Sequence, residues 1–183
     1  MTMRALTPQQ PKPKERMTRK FKQTGSSSLS DWHAKPLQER PGFLIRRLHQ
    51  IHVTLFMEEC AEEGITPVQY SILSALDQMG TAEQIVLSRA VGLDTTNVAD
   101  VLARLERRRF IKRRVSPKDK RMKAVTLTDI GRALLGRVDA GAERAHARTL
   151  AALDPTARTR FMRDLARLVG SNNDISRTPL GLR

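Results

Sequence analysis

The 183-residue sequence predicts a mainly α fold with a small β-hairpin wing: a winged helix-turn-helix flanked by dimerisation helices. Three observations predict it. Between Ser88 and Asn97 one short helix stops at Gly92 and another starts at Asp94. Val98, Val101, Leu102 and Leu105 then recur at i, i+3, i+4 and i+7, which is one face of a helix. From Ile111 to Leu127 come two strand-like runs joined by a charged tip containing Pro117.

The elements follow in chain order. Residues 1–30 carry Pro8, Pro11, Pro13 and a Gly-Ser run at 25–28 with few apolar groups, so they predict a flexible basic tail. Residues 31–169 predict the folded domain, opening with a short helical arm at 31–39 that holds Trp32 and Leu37. Pro41 suits a helix start, and Leu44, Leu48, Ile51 and Leu55 form a stripe that predicts a helix over 41–63, stopped by Gly64. Thr66-Pro-Val-Gln69 is a capping box with Pro at the first helical position, predicting a helix over 67–79. Thr81-Ala-Glu-Gln84 reads as a second capping box, for a helix over 82–91. Asp94 caps the recognition helix, 95–108, and the wing spans 111–127. Thr128 starts a long helix over 129–152 that runs through Ile130, Leu134, Val138 and Ala145. Asp154-Pro155 caps a last helix, 155–169, with Phe161, Leu165 and Leu168 inward, and 170–183 predicts a flexible polar tail.

Charge points to the partner. The net charge is +14, and it is clustered. Between Glu106 and Lys123 there are ten Lys or Arg against Glu106 and Asp119, a local +8; residues 1–30 hold seven against Glu15, a further +6. Such clusters draw a polyanion by long-range attraction and counterion release. A groove-sized helix beside a cationic hairpin is suited to double-stranded DNA. Thr95, Thr96 and Asn97 occupy the first turn of that helix, where base edges are read; Asn97 can hold adenine, or simply complete the cap after Asp94. Arg104, further along, is placed for phosphate.

Other classes are disfavoured. One cysteine, Cys60, allows no intramolecular disulfide and fits a reducing cytoplasm. No apolar run reaches the length of a membrane span, and the N-terminus has no apolar segment of the secretory kind. No phosphate-cradling glycine loop or nucleophile motif suggests an enzyme, and nothing calls for a cofactor. The flanking helices carry more apolar surface than one winged unit can cover. A homodimer would bury it and would match a pseudo-palindromic operator.

Thr66-Pro-Val-Gln-Tyr70, the run Thr96 to Glu106, the tip Asp119-Lys-Arg121 and Leu127-Thr-Asp-Ile-Gly131 resemble the MarR family of bacterial winged-helix transcriptional regulators, over roughly residues 41–169. The stretch Arg46 to His52 resembles, more narrowly, regulators of aromatic-acid catabolism such as nicotinate degradation. The resemblance implies that Arg121 enters the minor groove with Asp119 orienting it, a role that also suits an Arg in a negatively charged narrow groove. Lys118, Lys120 and Lys123 then serve as phosphate contacts. It also implies a repressor released by a small aromatic acid bound where the dimerisation helices meet the winged unit. That region would hold Arg46, His49, His52, Phe56 and Tyr70: cations for a carboxylate, and apolar walls for its ring. His49 and His52, at i and i+3, equally read as structural histidines or zinc ligands. Cys60 reads as a redox sensor or a small buried group. A weakly specific architectural DNA-binding protein is a further alternative. The Glu58, Glu59, Glu62, Glu63 cluster reads as a solvated helix end.

Overall fold

A computed structural model of the chain describes residues 32–115 and 123–181. The chain divides at Pro41 into two units. Before that point, Trp32–Ala34 and Leu37–Glu39 are short 3-10 turns, with the Lys35 ammonium 4.9 Å from the Trp32 ring centroid.

From Pro41 onward the order is α1 (Pro41–Glu59), α2 (Pro67–Met79), β1 (Thr81–Glu83), α3 (Gln84–Val91), α4 (Thr95–Arg107), β2 (Ile111–Val115), β3 (Lys123–Leu127), α5 (Asp129–Thr149) and α6 (Pro155–Ser171). The three strands form an antiparallel sheet in the order β1-β3-β2, with Ala82 opposite Val125 and Ile111 opposite Leu127. Ile72, Leu73, Leu76, Leu87, Val98, Leu102 and Leu105 meet Val125 and Val138 in one core that is closed to solvent. Helix α5 begins against that core because Gly131 permits it. A Cβ there would lie 2.0 Å from the Phe110 carbonyl oxygen, so the glycine of the Leu127-to-Gly131 motif is a steric requirement.

Several boundaries differ from the sequence expectation, each for a local reason. The first helix ends at Glu59, not 63; residues 60–63 form a turn into Gly64, at φ 58°, where Arg108 takes the Glu63 and Gly64 carbonyls at 2.9 and 2.8 Å. Thr81 does not open a helix. Thr81–Glu83 pair with β3, and α3 starts after Glu83 with no side-chain cap; ladder hydrogen bonds have displaced the capping box. Helix α4 stops one residue short of the expected 108, and α6 runs on to Ser171. Helix α5 ends at Thr149, where Arg158 reaches the Leu150 and Leu153 carbonyls.

Two packing expectations are also corrected. Phe161, Leu165 and Leu168 are not buried within the chain, because α6 has no buried residue at all. Glu58 and Glu59 are not a solvated helix end. Glu59 accepts from Arg144 at 2.6 Å and Arg148 at 2.7 Å, while Glu58 pairs with Arg148 at 3.0 Å, tying α1 to α5. The tail after α6 is likewise not loose: Asn173–Ile175 form a 3-10 turn, and residues beyond it bond to α3. Residues 1–30 lie outside the described residues.

Candidate nucleic-acid interface and effector site

The recognition helix α4 is built by its cap and its inner face. Asp94 Oδ1 accepts the Asn97 backbone N–H at 2.9 Å, and Oδ2 accepts the Asn97 side-chain amide. The Asn97 backbone bond, helped by that amide, holds the Asp94 carboxyl below its usual range. So Asn97 does complete the cap, yet it stays exposed with one amide hydrogen and its oxygen open. Gln84 Nε2 donates to the Thr95 carbonyl at 2.9 Å and fixes the start of α4 against the start of α3. With Val98, Leu102 and Leu105 sealed inside, Thr95, Thr96, Asn97 and Arg104 all lie on the solvent face.

The wing is joined to this helix through Glu106. Its Oε2 accepts from Arg113 Nε at 2.7 Å and from Arg113 Nη2, which pulls the Glu106 carboxyl below its ordinary range. Arg113 is thus a brace between α4 and β2. Arg108 is committed as well, stacked 4.6 Å over Phe110 and bonded to the Glu63–Gly64 turn. The cations left exposed around the wing root are Arg107, Arg109, Lys112, Arg114 and Lys123. Lys118, Asp119, Lys120 and Arg121, the expected tip contacts, lie outside the described residues.

The second site lies where α1, α2 and α5 meet. His52 stacks on His146 with ring centroids 5.3 Å apart and planes 9° apart. Its Nδ1 is 2.9 Å from Thr149 Oγ1, whose single hydroxyl hydrogen goes to the Ala145 carbonyl at 2.7 Å. Thr149 therefore accepts from His52 Nδ1–H, leaving Nε2 of the neutral ring as an open acceptor. Burial, then the charges of His146 and His49, push the His52 pKa down from 6.5, favouring that neutral ring. Phe56 lies edge-on to His52 at 6.4 Å and 5.5 Å from the Tyr70 ring. Burial pushes the Tyr70 phenol up, with Ser74 and Asp139 as its polar neighbours.

The structure thus brings His52, Phe56 and Tyr70 together but places them differently from expectation. Phe56 is a core residue, shut off from solvent, so it backs the site and does not line it. Arg46 is apart: it bonds Gln50 at 3.2 Å, leans over Phe43, and sits about 120° around α1 from His52. His49 is exposed beside His52. His146, Thr149 and Asp139 were missed in the sequence because they lie on α5, some 70 to 100 residues from their partners. Among the described residues no three His, Cys, Asp or Glu side chains converge as metal ligands. Cys60 is buried against the Val138 carbonyl, and burial raises its thiol pKa, which makes it a poor redox sensor.

Comparison with known proteins bears on the family and the fold. The MarR family model matches residues 65–123, from the turn before α2 to the first residue of β3. The PcaV transcriptional regulator of Streptomyces coelicolor, solved in complex with its natural ligand, is 34% identical, with a TM-score of 0.69 over 75% of this chain and 96% of that one. The chain belongs to the MarR family. BpsR of Bordetella bronchiseptica, whose DNA binding is regulated by 6-hydroxynicotinic acid, is 30% identical with a TM-score of 0.70 over 73% of this chain and 96% of its own. The repressor NicR of Pseudomonas putida is 26% identical over 153 residues, 84% of this chain and 97% of the relative. This MarR-family member is accordingly a transcriptional regulator with a winged-helix DNA-binding fold and not an enzyme. Among the described residues no helix is long and apolar enough to cross a membrane.

Proposed function

We propose that this MarR-family regulator is a homodimeric repressor, released from a pseudo-palindromic operator by a small aromatic carboxylate of the hydroxypyridine type. The observation that carries the effector half is the stacked His52–His146 pair beside Tyr70 at the junction of α1, α2 and α5. A ring carboxylate would displace one stacked imidazole and favour protonation of His52, whose Nε2–H would then donate to it. Likeness to BpsR and NicR supports the ligand class. Thr149 and His146 lie at the far end of α5, whose first turn is capped by Thr128 next to the wing, so a shift of α1 against α5 would move the reading head.

In the bound state Thr95, Thr96 and Asn97 would meet base edges, with Arg104, Lys118, Lys120 and Lys123 on phosphates and Arg121, steadied by Asp119, in the minor groove. The homodimer reading rests on exposed apolar residues of α1 and α6: Leu44, Ile45, Ile51, Met162, Leu165, Leu168 and Val169. His49, exposed beside His52, would reach an effector from α1. A ligand favouring the released state 100-fold shifts the balance by about 2.7 kcal/mol, enough for a switch.

The test is release of the duplex upstream of the protein's own gene by 6-hydroxynicotinate, nicotinate and related acids, followed by fluorescence anisotropy. The parent should let go, while His52→Ala and His146→Ala still bind DNA but need at least tenfold more acid. Release of both variants at the parental concentration makes the histidines structural. Response to zinc and to no aromatic acid would replace this reading with a metal-responsive one.

A further inference from the structure

The residues after α6 fold back onto the helix-turn-helix. Asn172 closes α6 by donating its side-chain amide to the Leu168 carbonyl at 2.8 Å. Asn173 then ties a loop, its Oδ1 accepting the Leu180 N–H at 2.8 Å and its Nδ2 donating to the Leu180 carbonyl at 3.1 Å. That loop sits on the end of α3. The Thr178 hydroxyl donates to the Gly92 carbonyl at 2.8 Å, and the Gly181 N–H donates to the Arg89 carbonyl at 3.0 Å. These are carbonyls that a helix end leaves without intrahelical partners. Leu180 covers Gly92 so closely that a Cβ there would come within 3.1 Å of it.

The strap and the turn beneath it wall one open cleft of about 580 Å³, lined by Ser88, Arg89, Asp94, Thr95 and Arg177 among others. Arg89 and Arg177 are both exposed, and among the described residues neither joins an ion pair. The Asp94 carboxylate also faces the cleft, but it is engaged by Asn97. Two uncommitted guanidinium groups therefore flank Thr95, the first residue of the helix that reads DNA. Guanidinium groups at that position match a backbone phosphate neighbouring the bases being read.

We propose that the C-terminal strap, residues 173–181, is part of the DNA-reading head, and that Arg177 with Arg89 holds a backbone phosphate beside the recognition helix. The proposal rests on α4 being the helix that meets DNA. It gives the tail a task that its polar composition did not disclose, and it links α6 to the head by a route other than α5.

Duplex affinity measured across a salt series tests it in the full-length protein. Arg177→Ala should flatten the slope of log K against log salt by about 0.9, which is about a fivefold loss at 0.15 M, for operator and random duplex alike. Arg177→Lys should keep the slope. The double variant Thr178→Ala with Leu180→Ser keeps Arg177 but unclasps the strap, and should lose the same slope while circular dichroism stays unchanged. An unaltered slope in both Arg177→Ala and the unclasped variant overturns the proposal alone. Tighter DNA binding by the unclasped variant also overturns it, since the strap would then be a cover competing with DNA. A parent protein with no salt-dependent affinity for any duplex would overturn the underlying reading and the strap with it.

Discussion

Helices α4 and α6 are both amphipathic, yet their apolar faces have opposite fates. On α4, Val98, Leu102 and Leu105 are each 0% exposed; on α6, Leu165 is 38% and Leu168 61% exposed. The reading head therefore completes its core within one chain, whereas α1 and α6 are each left with exposed apolar residues. A face of this kind needs a partner surface, and in the homodimer proposed above a second copy would supply the matching one. The same chain holds a self-sufficient unit and an unfinished one.

The largest effect that would test this contrast comes from matched substitutions. Leu102→Ala should cost about 2–5 kcal/mol, as for a large-to-small change in a sealed core, at every protein concentration. Leu165→Asp should instead leave the head folded and abolish the concentration dependence of the thermal midpoint, because its cost falls on association. Urea and thermal unfolding over a hundredfold range of concentration distinguish the two. Equal, concentration-independent losses would erase the distinction.

Acid should act on both regions, through different carboxylates. Glu106 in the head and Glu59 on α1 have folded pKa values below their usual 4.5, each because of arginine hydrogen bonds, to Arg113 and to Arg144 and Arg148. A depressed carboxylate gives stability that is present above the unfolded value and is lost as pH falls through the folded one. Stability should therefore decline as pH drops below 4.5, and Glu106→Gln should remove part of that decline while weakening the α4–β2 brace. An acid limb identical in Glu106→Gln and the parent would count against the brace.

The smallest effect lies at the junction of α4 with the wing. Arg109 has φ 60°, a left-handed conformation that costs a non-glycine residue about 1 kcal/mol. Arg109→Gly should raise the stability of the head by up to that amount, read from the urea midpoint, without altering the concentration dependence carried by α6. A loss of stability would mean that the Arg109 side chain holds the turn more than its backbone strains it.

Much of the head was legible because its signals are local. Asp94 as a cap, Gly92 as a stop and the Val98-to-Leu105 stripe lie within fourteen consecutive residues, and local periodicity reports local structure. Thr81 misled for the same reason: its capping box is genuine as a sequence, but β3, forty residues on, offered better hydrogen bonds. The effector junction was half legible. His52 and Tyr70 sit on early helices beside recognisable motifs, while His146 is an isolated histidine on a polar stretch of α5. Nothing in a linear pattern says that two rings 94 positions apart will stack.

By itself, then, the sequence determined the fold class, the recognition helix, the cationic wing and the regulator family, because spacing, caps and charge clustering act over short range. Tertiary structure alone decided which cations are free, since Arg108 and Arg113, two of the cluster between Glu106 and Lys123, are taken up by carbonyl and carboxylate partners. It alone decided that Phe56 is core, that His146 faces His52, and that the tail closes over Gly92. Those outcomes depend on contacts between distant segments, whose geometry is set by packing the whole chain at once.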